Sequence, residues 1–171
     1  MRLAIDAHYR EPGACVAGVG FSAWTDSAPL ATWSMWVPEV EAYIPGQFAR
    51  RELPCILALL AILPTHSSLH APRMILVDGY VDLGARPGLG RRVHEATGIP
   101  VIGIAKTRFS GAEALEVRRG GSTLPLFVTA AGCDAREAAT QLASMAGAHR
   151  IPTLLGLADR LSRDAYRTEA P

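Results

Sequence analysis

Residues 73–79 read Arg-Met-Ile-Leu-Val-Asp-Gly, and this short stretch indicates the fold class. The run from Met74 to Val77 is apolar throughout, and Asp78 and Gly79 end it with residues that favour a turn. A continuous apolar run of this length is typical of a strand that is buried on both faces. Because helices must cover both faces of the sheet that contains such a strand, the segment favours an α/β protein.

The segments before this strand predict an antiparallel meander. Leu3 and Ile5 alternate with small or polar residues, which indicates a strand. Turn-forming residues, Glu11-Pro12-Gly13 and the stretch 26–29, separate three candidate strands. These strands are predicted over residues 2–9, 14–24 and 30–37. Connections as short as these join neighbouring antiparallel strands.

The rest of the chain alternates between helical and strand patterns. Helices are predicted over residues 47–63, 88–97, 134–146 and 152–163, and further strands over 99–105 and 124–129. The order β-β-β-α-β-α-β-β-α-α indicates a mixed β-sheet with helices packed on it. Without an internal repeat or a linker, residues 1–171 form one predicted domain. Its core is expected to span about residues 2–164, and residues 165–171 are expected to form a disordered tail.

Composition indicates a globular protein but no particular function. Hydrophobic residues make up 49% of the 171 residues and charged residues 19%, which is a globular composition. The net charge of +1 is not strongly basic, although local clusters of Arg and Lys matter more for nucleic-acid binding than the sum. The three cysteines form no CxxC or zinc pattern and are expected to be free thiols. With no signal peptide and no apolar segment long enough for a bilayer, the protein is expected to be soluble and cytoplasmic.

Three carboxylates stand where the pattern predicts burial. Asp6 lies within an apolar strand, and Asp78 ends the apolar strand quoted above. Glu52 lies four residues from both Phe48 and Ile56, on the buried stripe of a helix. An ionised carboxylate in such a place is unfavourable unless it is paired with a cation or bound to a metal.

Each carboxylate also has an explanation that involves no chemistry. Asp78 would begin a turn with Gly79, Asp6 would pair with an arginine, and Glu52 would be half-exposed beside a pair of arginines. Taken together, three such carboxylates favour a site for Mg²⁺ or Mn²⁺, which are hard ions that prefer oxygen ligands. A metal held in this way activates water and stabilises the leaving oxygen in phosphodiester hydrolysis.

Several motifs in collinear order carry a resemblance to a known family. They are Ala42-Tyr43-Ile44-Pro45-Gly46 with the later Arg51-Glu52-Leu53-Pro54, Leu76-Val77-Asp78-Gly79, His94 followed by residues 98–106 (GIPVIGIAK), His149-Arg150-Ile151-Pro152, and residues 158–163 (ADRLSR). The motifs cover about residues 3–164 and resemble those of the endonuclease V family, of which the chain looks like a short, divergent branch.

The resemblance implies a ribonuclease-H-like fold and a defined activity. Endonuclease V proteins cleave DNA or RNA near deaminated purines, typically inosine, at the second phosphodiester bond on the 3′ side. The resemblance therefore implies Mg²⁺ (or Mn²⁺) as cofactor, DNA or RNA as partner, and a role in nucleic-acid repair or processing. No membrane partner is expected, and the protein is expected to be a monomer.

The resemblance also assigns catalytic residues. They are Asp6, Glu52, Asp78, Lys106 and Asp159, of which the first three match the metal ligands of the family. Lys106 follows a buried strand, where lysine would be a poor core residue but a good phosphate contact.

A further set of residues matches the nucleic-acid contacts of the family. Tyr43, Ile44, Pro45 and Gly46 match the wedge that separates the strands beside the lesion, and Gly79 and Tyr80 match the region beside the flipped base. Arg51 and Arg108 are further candidates for nucleic-acid contacts. A flat tyrosine beside a rigid proline suits base stacking, and a mispaired inosine is extruded more readily than a paired base.

Two histidines of the family are missing. Gly84 and Ala85 stand where the family has the histidine of an H-P-R element, and Gly132 stands at the histidine of an S-P-G-H element. His8 and His149 are the candidates for replacing one of them. The sequence therefore supports the metal site better than it supports a particular substrate.

Two other functions stay open. A non-catalytic nucleic-acid-binding module would keep the fold and the wedge without turnover, and the missing histidines favour it. A divergent phosphoesterase that acts on small nucleotides is favoured by the near-neutral charge of the chain.

Overall fold

The computed structural model of the chain describes residues 1–42, 44, 48–64 and 71–168. Its strands are β1 (Arg2–Arg10), β2 (Gly13–Phe21), β3 (Ala31–Val37), β4 (Met74–Asp78), β5 (Asp82–Leu83), β6 (Arg86–Pro87), β7 (Val101–Ala105), β8 (Leu115–Val117) and β9 (Leu126–Ala131). Its helices are α1 (Phe48–Ala61), α2 (Leu89–Thr97), α3 (Ala135–Ser144) and α4 (Thr153–Thr168).

A seven-stranded sheet in the order β3-β2-β1-β4-β7-β9-β8 forms the centre of the fold. Strands β1, β2 and β3 pair antiparallel, which confirms the predicted meander. Strand β4 pairs parallel with both β1 and β7. Strand β9 pairs antiparallel with both β7 and β8. The sheet is therefore mixed, as the order of the predicted elements indicated, and the fold is of the α/β class.

Helices cover both faces of this sheet. Ile75 and Val77 of β4 belong to a core formed with α1 and α2, whereas Leu76 between them belongs to a core formed with α3 and α4. All three side chains are at most 2% exposed, so the strand quoted from the sequence is buried on both faces. Since side chains alternate along a strand, Asp78 follows Leu76 toward the side of α4.

Three strands were missed by the sequence patterns. Strands β5 and β6 are two residues long each and form a separate hairpin, and β8 is a three-residue strand at the edge of the sheet. Runs this short show no readable period of two. Strand β2 also ends earlier than predicted, at Phe21, because the backbone N–H groups of Ser22 and Ala23 donate to the Asp26 carboxylate in a turn.

The last helix is longer than the sequence predicted. Helix α4 runs to Thr168, beyond the expected end near Arg163. Neither glycine nor proline occurs over residues 164–168 to stop it. Residues 165–168 therefore belong to the helix and not to a disordered tail, and residues 169–171 lie outside the described part of the chain.

The cysteines and the helices bear on two expectations from composition. Cys15, Cys55 and Cys133 are free thiols, the first two buried and the third partly buried, as expected. None of the helices in the described ranges is long and apolar enough to cross a membrane.

Gly103 allows close packing at the centre of the sheet. A Cβ atom at this position would lie 2.5 Å from the carbonyl oxygen of Gly79 and 2.7 Å from Oγ1 of Thr129. We predict that Gly103→Ala lowers the free energy of unfolding by about 1–3 kcal/mol, because neighbouring backbone would have to move apart. Urea unfolding of the variant measures this loss.

Gly156→Ala in α4 is the matched control for this prediction. An added Cβ at Gly156 would meet no atom within 4 Å. Alanine should therefore stabilise the helix by up to about 1 kcal/mol relative to glycine. Equal stability of the two variants would contradict the close packing inferred at Gly103.

Candidate active site

Asp6 and Asp78 lie side by side because their strands are parallel neighbours. Ile5 of β1 is paired with Val77 of β4, so the next residue of each strand is a carboxylate. Both side chains are partly buried. The charge of Asp78 acts on Asp6 and helps to raise its pKa, although burial is the larger cause.

Lys106 brings a positive charge to Asp78. Strand β7 pairs Ile104 with Asp78, and Lys106 follows two residues later. The Nζ atom of Lys106 lies 2.6 Å from Oδ2 of Asp78, and both side chains are half-exposed. Burial lowers the pKa of Lys106, but the hydrogen bond to Asp78 and the charges of Asp78, Asp6 and Asp159 outweigh it and raise the pKa overall. The ammonium group therefore keeps its charge at neutral pH.

Helix α4 completes the surroundings of Asp6. The fully buried Ser162 hydroxyl lies 2.8 Å from Oδ2 of Asp6 and 2.9 Å from the backbone carbonyl oxygen of Asp159. Because a hydroxyl carries one proton, Ser162 donates to one of these oxygens at a time. The Asp159 carboxylate pairs with Arg163, 2.9 Å away and one helical turn later. Burial raises the pKa of Asp6, Asp159 adds to this effect, and the hydrogen bond from Ser162 opposes it.

Glu52 is the most deeply buried of the predicted carboxylates. Its side chain comes from α1 and is 3% exposed, so the alternative in which it is half-exposed is wrong. Its Oε2 atom has no hydrogen-bond partner among the described residues. Burial raises the pKa of this carboxyl well above its usual range, and the charges of Asp6 and Asp78 raise it further.

One cavity brings these residues together. It has a volume of about 290 Å³ and is lined by Asp6, Ala7, His8, Phe48, Glu52, Asp78, Lys106, Asp159 and Arg163. We refer to it as the carboxylate cavity. All five residues that the sequence nominated as catalytic line its wall, although they come from three strands or strand ends and two helices.

The carboxylates of this cavity do not form a closed metal site as they stand. Within the described ranges, no group of three or more His, Cys, Asp or Glu side chains is arranged to hold one ion. Lys106 donates to Oδ2 of Asp78, and the Ser162 hydroxyl lies within hydrogen-bond distance of Oδ2 of Asp6. The remaining carboxylate oxygens, including the unpartnered Oε2 of Glu52, are the ligand atoms that a metal ion would use.

The positions of the two missing family histidines do not line the carboxylate cavity. Gly84 lies between β5 and β6, and a Cβ added at Gly132 would lie 2.6 Å from Cε1 of His94. Of the two candidate replacements, His8 lines the carboxylate cavity, whereas His149 is exposed and does not. Burial and the charge of Arg163 lower the pKa of His8, so its ring is neutral near pH 7.

The predicted wedge is described at one of its four positions. Tyr43, Pro45 and Gly46 lie outside the described residues. Ile44 is described and is 43% exposed, which leaves an apolar side chain open to solvent before α1 begins. An exposed apolar side chain of this kind is available for contact with a base.

A second cavity, of about 500 Å³, adjoins the carboxylates from the side of α1. Its wall includes Gly79 and the rings of Phe48, Tyr80 and Phe109, and we refer to it as the aromatic cavity. Phe48 lines both cavities. Tyr80 is 7% exposed, and its hydroxyl donates to the carbonyl oxygen of Thr107 and accepts from the N–H of Phe109, each at 2.9 Å. Tyr80 therefore fixes the loop after β7 as well as lining the cavity.

The two predicted arginine contacts differ in their surroundings. The guanidinium of Arg51 lies 3.9 Å from the centre of the Tyr9 ring and is packed against the protein. Arg108 pairs with Glu116 at 3.0 Å but is largely exposed. Arg108 is therefore the more accessible of the two to a phosphate.

Similarity to known proteins identifies the family. The family model for endonuclease V matches residues 3–145, which is most of the chain. The chain belongs to the endonuclease V family. This confirms the resemblance found in the motifs and agrees with the α/β fold.

Particular endonuclease V proteins show how far the similarity extends. The protein of Ignicoccus hospitalis is 29% identical over 143 residues, which cover 74% of this chain and 64% of that protein. The chain thus spans less than two thirds of the length of this curated relative. The crystal structure of endonuclease V from Streptomyces avermitilis is 27% identical, with a TM-score of 0.78 over 98% of this chain and 81% of that one. Endonuclease V of Ciona intestinalis, in complex with a 24mer DNA containing an inosine followed by a ribo-adenosine, is 18% identical with a TM-score of 0.82 over 98% and 86% of the two chains, and shows the fold alone.

Sequence reasoning assigned no role to three residues around the carboxylates, although two of them stand in the ADRLSR motif of residues 158–163. Ser162 and Arg163 follow Asp159 by three and four residues on α4, and Phe48 precedes Glu52 by four residues on α1. Residues at these spacings share one side of a helix. Helical spacing from each predicted carboxylate would therefore have pointed to all three residues, and the motif would have pointed to Ser162 and Arg163.

We predict that Glu52→Gln stabilises the protein when divalent ions are absent. Because the pKa of Glu52 is raised in the folded state, folding stability is lost as pH rises above the ordinary carboxyl range of about 4.3. The amide removes this loss. The gain in the free energy of unfolding should be absent near pH 4 and reach about 1 kcal/mol or more at pH 8, as measured by thermal unfolding in a chelator.

Glu113→Gln is the matched control, because Glu113 is exposed. Its unfolding temperature should match that of the unmodified protein at both pH values. A Glu52→Gln protein that is less stable than the unmodified one at pH 8 would contradict a buried, repelled carboxylate at this position.

Proposed function

We propose that this protein is a metal-dependent endonuclease that hydrolyses phosphodiester bonds in deaminated, inosine-containing or distorted DNA or RNA. The observation that carries the proposal is the buried Glu52, which has an unpartnered oxygen and lines one cavity with Asp6, Asp78 and Lys106. Ionisable groups with strongly shifted pKa values in a cavity are typical of functional sites. Membership of the endonuclease V family supports the same activity. The protein would act in nucleic-acid repair or processing, as a single-domain, cytoplasmic monomer.

Asp6, Glu52 and Asp78 are the proposed ligands of Mg²⁺ or Mn²⁺. Their oxygens are the hard donors that these ions prefer. A divalent ion would also relieve the repulsion that contributes to the raised pKa values of Asp6 and Glu52. Lys106 holds one oxygen of Asp78 and would share this carboxylate with the ion. When bound, the ion would polarise a phosphodiester oxygen and lower the pKa of the attacking water.

Lys106 and Asp159 are the proposed catalytic partners of these carboxylates. Since the pKa of Lys106 is raised, its ammonium group would stay charged and stabilise negative charge that develops on a phosphate beside Asp78. The ion pair with Asp159 keeps Arg163 in the cavity wall, where its guanidinium would bind a phosphate oxygen. The neutral ring of His8 would accept a hydrogen bond from a water molecule in the same cavity.

The aromatic cavity is the proposed place for the extruded base. Its volume of about 500 Å³ suits a small planar group, and its aromatic rings offer stacking surfaces. Gly79 lines this cavity, and a Cβ added there would meet no atom closer than 3.9 Å, so the backbone is open to a ligand. The inosine-containing DNA bound to the Ciona protein supports a deaminated base as the ligand.

The remaining nucleic-acid contacts are proposed at the edge of these cavities. Tyr43, Ile44, Pro45 and Gly46 would form the wedge. Arg108, which is largely exposed, would bind the phosphate backbone. The guanidinium of Arg51 packs against the Tyr9 ring. Arg51 would therefore contact the nucleic acid only with the part of the guanidinium that the ring does not cover.

A non-catalytic nucleic-acid-binding module of the same fold is the second candidate. The ion pair between Lys106 and Asp78 favours it, because the ammonium group already compensates part of the negative charge that a metal ion would otherwise neutralise. The arrangement of the described side chains, which holds no closed group of metal ligands, favours it as well. This candidate predicts salt-sensitive binding of nucleic acid without metal-dependent turnover.

We predict cleavage near the inosine when single- or double-stranded DNA or RNA containing inosine is incubated with the protein and Mn²⁺. Asp78→Ala should lower the rate about 1000-fold or more, because it removes a proposed ligand and the partner of Lys106. Asp164→Ala is the matched control, since Asp164 is an exposed carboxylate of α4 that does not line the carboxylate cavity. It should keep the full rate.

The outcomes of this assay separate the candidate functions. Salt-sensitive binding of the oligonucleotides without cleavage, at high protein concentration, would replace the nuclease with the binding module. Hydrolysis of mononucleotides but not of oligonucleotides would instead support a phosphoesterase that acts on small nucleotides.

We predict that Lys106→Met separates metal binding from turnover. Removing the ammonium frees Oδ2 of Asp78, so the affinity for Mn²⁺ in calorimetry should rise about three- to tenfold, as expected for loss of a half-exposed ion pair. Cleavage should fall about 100-fold or more, because the cation beside the phosphate is lost. Arg118→Met, which breaks a surface ion pair with Glu116, is the control and should change neither quantity. A lower affinity for Mn²⁺ in Lys106→Met would count against Asp78 as a ligand.

A further inference from the structure

A third cavity opens from the carboxylates into the protein beneath α4. It has a volume of about 400 Å³ and lies between α4 and the strands β1, β4, β7 and β9. We refer to it as the α4 cleft. Its walls are mainly apolar, and the apolar residues are Ala4, Ile5, Leu76, Val77, Ile104, Leu126, Ile151, Leu155 and Ala158. The inner part of this wall belongs to the hydrophobic cores and is at most 6% exposed, whereas Ile151, Leu155 and Gly156 are partly exposed. A flat group with apolar faces would therefore contact these partly exposed residues.

Gly156 leaves the α4 cleft open on its helical side. It lines the cleft, and a Cβ added there would meet no atom within 4 Å. Glycine in the interior of a helix lowers the stability of the helix relative to alanine or leucine. Helix α4 therefore carries an unfavourable residue at a place where a larger side chain would fill the cleft.

Charged residues surround the mouth of the α4 cleft. Five residues line both this cleft and the carboxylate cavity, namely Asp6, Asp78, Lys106, Asp159 and Arg163. The cleft thus combines apolar walls with three carboxylates and three cations, and two of the cations, Lys106 and Arg163, are paired with Asp78 and Asp159. Arg160 is the exposed cation that the carboxylate cavity does not share. A nucleotide has the matching parts, a flat base joined to an anionic phosphate.

We propose that the α4 cleft binds the base of a nucleotide next to the phosphodiester bond that is cut, with Arg160 at the phosphate of that nucleotide. This inference rests on the proposed nuclease function. The apolar walls provide no ligands for a metal ion or a free phosphate, so a base is the part of the substrate that fits. The aromatic cavity adjoins the carboxylates from the side of α1, and the α4 cleft adjoins them from the side of α4. A strand that occupies both would be held on either side of the reacting phosphate.

Binding is tested directly with AMP as a probe and ribose 5-phosphate as the matched ligand without a base. In methyl NMR spectra of the full chain, AMP should shift the resonances of Ile104, Ile151 and Leu155, and ribose 5-phosphate should not. Gly156→Leu should abolish these shifts. Thr140→Leu, which adds leucine to an exposed position of α3, should retain them. The inference is wrong if AMP leaves these methyl groups unmoved or if both ligands move them equally.

Cleavage provides the second test, with substrates that carry a single abasic site at successive positions around the cut. At one position next to the cut, the abasic site should lower kcat/KM of the unmodified protein about tenfold or more. Gly156→Leu should lower kcat/KM on the intact substrate by the same factor. The abasic site should then cause no further fall in kcat/KM of this variant. Thr140→Leu should behave as the unmodified protein on both substrates.

The two proposals fail in different ways in this experiment. If the unmodified protein cuts no oligonucleotide, the nuclease function is wrong, and the AMP spectra still decide whether the cleft binds a base. If cleavage is normal but no abasic position has an effect, or if Gly156→Leu cuts the intact substrate at the full rate, only the role of the α4 cleft is wrong.

Discussion

The parallel pairing of β1 with β4 is the constraint on which the rest of the site depends. Since Ile5 pairs with Val77, Asp6 and Asp78 come next to each other in neighbouring strands. The parallel pairing of β4 with β7 then brings Lys106 within 2.6 Å of Asp78. The hydrogen bonds of the sheet backbone therefore place the two carboxylates at the same edge, and Lys106 follows β7 at that edge.

The helices bury a carboxylate beside the sheet edge, which lowers the folding stability, and they also form the apolar cores that offset this loss. Helix α1 buries Glu52 beside two other carboxylates, which raises its pKa and reduces folding stability at neutral pH. The two apolar cores on either side of the sheet offset this loss, because they bury strands such as β4 on both faces. Stability lost at a carboxylate cluster and regained elsewhere is common at functional sites, where binding of a cation removes the repulsion.

Three adjoining cavities form the site, and the carboxylate cavity shares residues with each of the other two. The aromatic cavity shares Phe48 with the carboxylate cavity, and the α4 cleft shares Asp6, Asp78, Lys106 and other charged residues with it. Aromatic walls lie on the α1 side, aliphatic walls lie on the α4 side, and the ionisable groups lie between them. A single strand of nucleic acid has the same alternation of flat bases and charged phosphates.

The sequence by itself determined the long strands, the four helices and the five catalytic candidates, because apolar runs, helical spacing and motifs are local patterns. It did not reveal β5, β6 and β8, which are too short to show a period. Only the tertiary structure decided that Lys106 pairs with Asp78, that Ser162 bonds Asp6, and that Gly156 leaves a cleft open. These features depend on which strands become neighbours and on how α4 lies across the sheet. Both follow from packing between segments far apart in the chain, which a local pattern does not encode.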